Sequence, residues 1–334
     1  MHSVAQEEHV SGMTESRREL TALVAGCGIY RSNRNLFSIT GRDRVRWLNG
    51  MVTNNIRDLA SGNGVYSFVL NPQGHILGDL YVFNIGESLI AEIDHSQSES
   101  LLQVLRRYII MDKVDIAYLT AEKALIHVTG PKSGGILASI GLAADLKPLQ
   151  FSNSSWSGTN VTLVHGDNPS FPDFQIWHAA DQTDVIWRAL QNFGAEPVGD
   201  ETLETFRILC GIPKVGQDIR ERTLPQETGQ DHALNFSKGC YIGQEIVERI
   251  RARGNVHKIF MGFEIEGNAP APGTKVQSGG KDVGEITSIA LAPLKKTRMS
   301  LGYLRKEVLG SGEVLSAGEA VVKQHPLPFT DIFN

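Results

Sequence analysis

The chain has 334 residues, of which 41% are hydrophobic and 21% charged, and its formal net charge is -5. This composition predicts a folded protein of two or three domains and excludes a general attraction to nucleic acid or anionic membranes. Cys27, Cys210 and Cys240 are too few and too scattered for a disulfide framework, which indicates a reducing compartment. Charged residues without an apolar block near the N-terminus argue against a targeting peptide. We therefore expect a cytoplasmic protein with neither nucleic acid nor membrane among its partners.

The first half of the chain alternates strand-like and helix-like patterns. The predicted elements are a helix over Thr14–Val24 closed by Gly26, strands over Leu36–Thr40, Val65–Leu70, His75–Phe83, Ser88–Ile93, Val114–Leu119 and Lys123–Val128, and helices opened by Asp43, by Ser96 with Glu99, and by Ser133. No G-x-G-x-x-G follows a strand, so a dinucleotide fingerprint is absent. The order predicts an α+β sandwich, a sheet covered by helices, rather than a doubly wound fold.

A hairpin is predicted where Asn71-Pro72-Gln73-Gly74 separates two strand-like runs. Proline at the second and glycine at the fourth position favour a type I turn. Asn71 and Gln73 lie at its tip, where they either meet a ligand or simply form the turn. The residue pattern alone favours neither role.

The second half begins with a Ser-, Asn- and Gly-rich stretch, Phe151–Asp167, predicted to be loop-bearing with one strand at Val161–Val164. The elements after it are a strand over Phe174–His178, a helix over Asp184–Phe193, a helix over Glu201–Cys210 with Asp200 as its N-cap, and strands over Lys258–Ile265, Gly284–Leu291, Met299–Tyr303 and Ala320–Lys323. The late strands, separated by Gly and Pro turns, predict a small C-terminal β-barrel. An extended tail is expected from His325 to Asn334.

The sharpest chemical signal is Cys240, in the octapeptide KGCYIGQE of Lys238–Glu245. A predicted helix over Gln244–Arg253 follows, with Gly254 as its stop. A cysteine before a helix N-terminus and beside Lys238 is in a setting that favours the thiolate. The alternative is a small apolar residue beneath a loop.

The octapeptide resembles the signature of the YgfZ-type folate-binding proteins, relatives of the mitochondrial iron-sulfur maturation factor in the aminomethyltransferase (glycine-cleavage T-protein) superfamily. GRDRVRWLNGMVTNNI, GVYSFVLNPQGHILGDL, RILCGIPKVGQDI and SLGYLR support the resemblance, in the family's order. It implies a three-domain ring around a central folate cavity. The implied divisions are an N-terminal extension over 1–30, a first α+β domain over 31–150, a second over 151–254 and a C-terminal β-barrel over 255–334.

The resemblance also implies a function and a set of site residues. It implies binding of tetrahydrofolate or a derivative, and assembly or repair of iron-sulfur clusters in client enzymes, with those enzymes or assembly proteins as partners. Cys240 is the implied functional thiol, and the implied cofactor-binding residues are Asn71, Gln73, Asp79, Arg207, Lys238, Gly239, Tyr241, Gln244 and Glu245, with Gly243 in the motif's frame. No metal site is expected.

Two departures from the family pattern leave enzymatic activity open. Aminomethyltransferases carry two adjacent aspartates where this chain has Gly78-Asp79, so the catalytic acid is interpreted as replaced at Gly78. Their Gly-Glu-Asp segment corresponds to Ser170–Asp173, which lacks the glutamate. The first hypothesis is therefore the iron-sulfur factor, and its alternatives are a folate-dependent one-carbon transferase and a folate-binding scaffold.

Two further assignments stay open. Cys210 is either a second ligand near Cys240 or, more in keeping with an interior helix position, a core residue. A basic cluster near the thiol either neutralises the anionic folate tail or forms a solvated face. Its members are Arg249, Arg251, Arg253 and Lys258.

Overall fold

The computed structural model describes residues 15–119, 122–254, 256–290 and 297–329. It contains two mixed α/β layers, each built on one sheet, followed by a closed barrel. The predicted α+β class with a C-terminal β-barrel is confirmed. Within those four ranges, no helix combines the length and apolarity needed to cross a bilayer.

The first sheet has five strands in the order β3-β4-β5-β2-β6. Its elements are β2 (Arg34–Thr40), α2 (Arg44–Met51), β3 (Asn63–Leu70), β4 (Ile76–Asn84), β5 (Leu89–Asp94), α3 (His95–Arg107) and β6 (Asp115–Tyr118). Alternate strand residues such as Phe37 and Leu80 point to one face and pack with Leu48 of α2 and Leu101 of α3. Both helices therefore cover the same face of this sheet.

The second sheet has six strands in the order β11-β1-β7-β10-β9-β8. Its elements are β1 (Gly28–Arg31), β7 (Lys123–Thr129), α4 (Ser133–Ser139), β8 (Phe151–Trp156), β9 (Thr159–His165), β10 (Asp173–Ala179), α5 (Thr183–Asn192) and β11 (Glu196–Pro197). Helices α4 and α5 pack on its outer face through Leu137 and Ile186. The inner faces of the two sheets meet through Leu36, Phe83 and Trp177.

The sheets divide the chain at points other than the predicted limits. Strand β7 pairs with β1 and β10, although it falls within the predicted first domain over 31–150. Strand β1, which lies where the predicted N-terminal extension ends, also belongs to the second sheet. It is preceded by helix α1 over residues 15–25, in which Leu23 is buried. The sheet to which β7 and β1 belong is decided by long-range strand pairing, which local sequence patterns do not encode.

The C-terminal part forms a closed barrel in the order β12-β15-β14-β13-β16-β17. Its strands are β12 (Lys258–Glu266), β13 (Lys275–Ser278), β14 (Lys281–Ile289), β15 (Arg298–Arg305), β16 (Leu315–Ala317) and β17 (Ala320–His325). Two connecting helices precede it, α6 (Asp200–Leu209) and α7 (Gln244–Arg253). The barrel packs on α6 through Leu209 and Phe260. Phe206 of the same helix packs with Leu23 and Val198 beside the second sheet, so α6 lies between that sheet and the barrel.

Several local predictions were wrong in detail. Phe151–Asp167 contains a hairpin of two strands rather than one strand among loops. Asp94, not Ser96, caps α3, because its carboxylate accepts the Ser96 N–H. The first part of the predicted extended tail packs on the barrel, where Phe329 is fully buried. Met1–Thr14 and residues 330–334 lie outside the described residues.

Candidate functional site

A cavity of about 1840 Å³ opens where the two sheets meet the barrel and α6. Tyr66 and Tyr81 of the first sheet line one wall, and Tyr30 and His127 of the second sheet line another. The barrel contributes Phe260. The predicted central cavity is therefore present, and its walls combine aromatic rings with a small number of polar groups, as ligand sites do.

Asp79 is the acid that β4 presents to this cavity. Its Oδ2 accepts a hydrogen bond of 2.6 Å from the Tyr66 hydroxyl, and the Gln97 amide donates to its Oδ1. Gly78 faces the opposite way, because a Cβ placed there would lie 2.6 Å from Gln97 Oε1 and 3.0 Å from Leu101. Strand alternation thus directs Gly78 toward α3 and Asp79 toward the cavity. The cavity therefore contains the Asp79 carboxylate, even though the neighbouring position 78 is a glycine.

A second acid, Asp167, lines the cavity and was not predicted. Its Oδ1 accepts a 2.7 Å hydrogen bond from the Tyr81 hydroxyl, and burial raises the pKa of its carboxyl. His232 Nε2 lies 3.7 Å from its Oδ2, and the His232 ring stacks on Tyr66 at 5.2 Å. Arg34 lies over the Tyr81 ring at 5.1 Å. No sequence signal marked Asp167, because it ends a stretch whose composition is that of a loop.

Arg207 also lines the cavity, but its guanidinium is fully engaged within the protein. It donates five hydrogen bonds, two to Glu204 and one each to Ile212 O, Asp218 and Ser288. An arginine has five N–H donors, so none is left for a ligand. The geometry is that of a clamp joining α6, the 212–218 loop and the barrel. The predicted folate contact of Arg207 remains untested.

The hairpin tip lies away from the cavity lining. Asn71 Oδ1 accepts the backbone N–H groups of Gln73 and His75, each at 3.0 Å, so its side chain forms the turn. Gly74 packs on Ile246 of α7, leaving 2.8 Å between a Cβ built on the glycine and Ile246 Cβ. Asn71 and Gln73 therefore adjoin the octapeptide segment, and neither is among the residues that line the cavity.

Lys238 is buried and turned inward. Its Nζ donates three hydrogen bonds of 2.6 Å to backbone carbonyl oxygens, those of Asn49, Val52 and Asn54. Burial lowers the pKa of Lys238 to about 7, and the carbonyls oppose that shift because only the ammonium has three N–H donors. The ammonium is therefore bound to the 49–54 segment, rather than standing free beside Cys240 as the sequence suggested.

The other octapeptide residues frame an exposed thiol. Cys240 and Gly239 are exposed, whereas Tyr241 is buried, with its pKa raised to about 12 by that burial. Gly243 adopts a φ of 83° immediately before Gln244, where α7 begins as predicted, and Glu245 pairs with Arg249 at 2.8 Å. None of the octapeptide residues lines the cavity. The predicted site residues thus form two groups, one at the cavity and one around Cys240.

The remaining thiols are buried. Cys210 lines the cavity wall, and burial raises its pKa to about 12. Cys27 lies in the core of the second sheet. Across the described ranges, no three His, Cys, Asp or Glu side chains form a group that could hold a metal ion. Cys240 is therefore the exposed thiol of the described chain.

The basic cluster predicted to meet a folate tail lies outside the cavity lining. Arg251 stacks on Phe236 at 4.3 Å, and Lys258 lies 3.8 Å from Glu227. The cations that line the cavity are instead Arg31, Arg34, Lys214 and the engaged Arg207. Of these, Lys214 is exposed and has no ion pair within the described residues.

Comparison with known proteins places this architecture in a family. Residues 11–238, about two thirds of the chain, match the model of the GCVT N-terminal domain. The chain belongs to the GCVT family. It is 28% identical over 295 residues to an aminomethyltransferase of Rubrobacter xylanophilus, covering 86% of this chain and 79% of that protein. It is 27% identical to an aminomethyltransferase of Nostoc over 335 residues, covering 95% and 88% of the two chains.

The fold agrees with that of a solved family member. The glycine cleavage system aminomethyltransferase T from Bartonella henselae superposes with a TM-score of 0.83 at 19% identity, covering 94% of this chain and 89% of that one. The predicted membership of the aminomethyltransferase superfamily is thus confirmed by the family match, and this likeness confirms the fold, while the YgfZ-type subgroup remains a prediction.

Proposed function

We propose that this chain binds tetrahydrofolate or a derivative in the central cavity and uses Cys240 to assemble or repair iron-sulfur clusters in client enzymes. The observation that carries the proposal is the exposed thiol held outside the cavity by an anchored octapeptide. A thiol at the surface can meet a partner protein, whereas one in the cavity would meet only a small ligand. The partners are then client enzymes or cluster assembly proteins.

The cavity residues fit a folate. A pterin ring presents N–H donors and a flat face, and the cavity offers the Asp79 and Asp167 carboxylates together with the Tyr66 and Tyr81 rings. The anionic tail needs a cation, and Lys214 in the cavity wall would supply it. When bound, tetrahydrofolate would supply a one-carbon carrier or a reducing group, and the protein's own residues orient it.

The chemistry of Cys240 is constrained by its isolation. Clusters are usually held by about four protein ligands, and the described chain offers no such set around this thiol. Cys240 therefore contributes a single ligand or a transient covalent contact to a cluster that the partner holds. The octapeptide geometry, with Lys238 and Tyr241 buried on either side, keeps the thiol directed outward.

Cys240→Ala is expected to abolish rescue of an iron-sulfur enzyme's activity in cells that lack this protein. Wild type and the matched variant Ser237→Ala, which changes an exposed side chain in the same loop, are expected to rescue equally. Activity of the client enzyme in extracts measures the outcome. Equal rescue by Cys240→Ala would leave a folate scaffold, and absence of rescue by wild type would favour the transferase alternative.

A one-carbon transferase is the second candidate, and the placement of Asp79 favours it. The carboxylate is fixed by Tyr66 and Gln97 in the cavity, where it can stabilise positive charge developing on a folate nitrogen. If this candidate is correct, Asp79→Asn lowers the rate of methylene transfer to tetrahydrofolate by about a hundredfold or more. Labelled one-carbon transfer measures the rate, with Asp145→Asn as control, because Asp145 is exposed and lies outside the cavity lining. An unchanged rate in Asp79→Asn would exclude Asp79 as the catalytic acid.

A further inference from the structure

Two large apolar side chains lie almost fully in solvent just after α3. Ile110 and Met111 are 81% and 89% exposed, and Tyr108 beside them is 38% exposed. Single apolar residues on a surface are ordinary, whereas adjacent ones that form a patch mark a protein interaction site more often. These three residues are called the apolar tip, and the patch that they form is one that a partner would cover.

The apolar tip is held in place by the first sheet and its helices. Ile109 and Val114, on either side of the exposed pair, pack into the core of the first sheet. The Trp47 indole N–H of α2 donates to Tyr108 O at 3.2 Å. A segment that is already ordered loses less conformational entropy when a partner covers it. The chain therefore presents the apolar tip as a preformed surface.

Basic residues flank the apolar tip. Arg106, Arg107 and Lys113 are exposed, and none of them forms an ion pair with another described residue. The acid within residues 106–113 is Asp112, and it is paired with Arg46. This local excess of positive charge is opposite in sign to the formal net charge of the chain, which is -5. Unpaired cations around an apolar centre are complementary to an apolar pocket with an acidic rim.

The apolar tip and the octapeptide are attached to the same helix, α2. Trp47 donates to the tip, and two residues later the Asn49 carbonyl accepts a 2.6 Å hydrogen bond from the Lys238 ammonium. The Gly50 carbonyl accepts from the Ile242 N–H at 3.2 Å. The 8 residues of α2 span about 12 Å, whereas an interface of standard size covers about 800 Å² on each partner and is about 30 Å across. One partner can therefore contact the apolar tip and the thiol together.

We infer that the apolar tip is a docking surface for the iron-sulfur client or assembly protein on which Cys240 acts, and that this partner presents an apolar pocket with an acidic rim. The inference rests on the proposed function and adds a second contact of the partner. Ile110 and Met111 fill the pocket, and the flanking cations pair with its rim. The apolar contact supplies most of the affinity, and the charges direct the approach.

The inference is tested with the double variant Ile110→Ser/Met111→Ser in the rescue assay and in binding to the same purified client enzyme, measured by biolayer interferometry. Val314→Ser is the matched control, because Val314 is 79% exposed just before β16 of the barrel. The charge variant Arg107→Glu/Lys113→Glu tests the acidic rim. Urea unfolding establishes that every variant is folded.

The double apolar variant is expected to bind the client enzyme about tenfold to a hundredfold more weakly than wild type. Its rescue should be reduced and should return on overproduction, because mass action offsets a weaker complex. Val314→Ser should bind and rescue like wild type. The charge variant should weaken binding about tenfold at low salt and less at high salt, because exposed charges are screened. Unchanged binding by the charge variant would overturn the acidic rim.

Wild-type affinity and rescue in the folded double variant, beside a Cys240→Ala protein that fails to rescue, would overturn the docking surface and leave the proposed function intact. A wild type that neither rescues nor binds the client enzyme would overturn both. Sedimentation of wild type, but not of the double variant, with phosphatidylglycerol vesicles would replace the protein partner by a membrane. A dimer in sedimentation equilibrium that the double variant loses would assign the surface to a second copy of this chain and likewise overturn the inference.

Discussion

Arg207→Met is expected to lower the free energy of unfolding by about 3–5 kcal/mol, the range for breaking a buried ion pair from one side. The substitution removes all five hydrogen bonds of the guanidinium and leaves the Asp218 carboxylate, which is almost fully buried, without its cationic partner. Ser288 and Thr287 also donate to Asp218, so the barrel loses part of its attachment to α6. Urea unfolding followed by circular dichroism measures the change.

Arg31→Met provides the control for this prediction. Arg31 also lines the cavity, but its ion pair with Asp184 is exposed, with 64% and 71% of the two side chains accessible. Exposed pairs contribute less than about 1 kcal/mol, so its loss should be nearly silent. If Arg207→Met instead keeps wild-type stability and loses only folate affinity, the side chain serves the ligand and the clamp interpretation is wrong.

Elements whose signals are local could be predicted from the sequence. Helix α7 begins at Gln244 and ends at Arg253 as predicted, because Gly254 adopts the left-handed conformation that stops a helix. The strands of the barrel carry alternating apolar residues between Gly and Pro turns, so β12 and β15 were located closely. The short strand β16 was missed, since three residues carry no readable period.

The site could be predicted only in part, because its contacts join residues far apart in the chain. Lys238 contacts carbonyls nearly 190 residues earlier, and the Asp167 bond to Tyr81 spans 86 residues. Neither follows from spacing. The two-residue period of β4, by contrast, does predict that the side chains at positions 78 and 79 point to opposite faces of the sheet. The family pattern drew attention to the missing acid rather than to the one that faces the cavity.

The second large effect is expected at Lys238. Lys238→Met should lower the free energy of unfolding by about 3 kcal/mol or more. Methionine fills the space of the aliphatic part of the lysine side chain, but it has no N–H group, so three backbone carbonyls lose their hydrogen-bond donor. The carbonyls of Asn49 and Val52 lie at the end of α2, so the loss loosens the junction between α2 and the octapeptide. Urea unfolding measures the stability, and rescue of an iron-sulfur enzyme measures the function.

Lys275→Met is the matched control, since Lys275 pairs with Glu285 at the surface with 53% of its side chain accessible. Its unfolding free energy should stay within about 1 kcal/mol of wild type. A Lys238→Met protein of wild-type stability that no longer rescues would show that the amine acts in chemistry at Cys240 and not as an anchor. A destabilised variant whose rescue returns at lower growth temperature would establish the anchor, because the thiol's position then depends on the fold that Lys238 holds together.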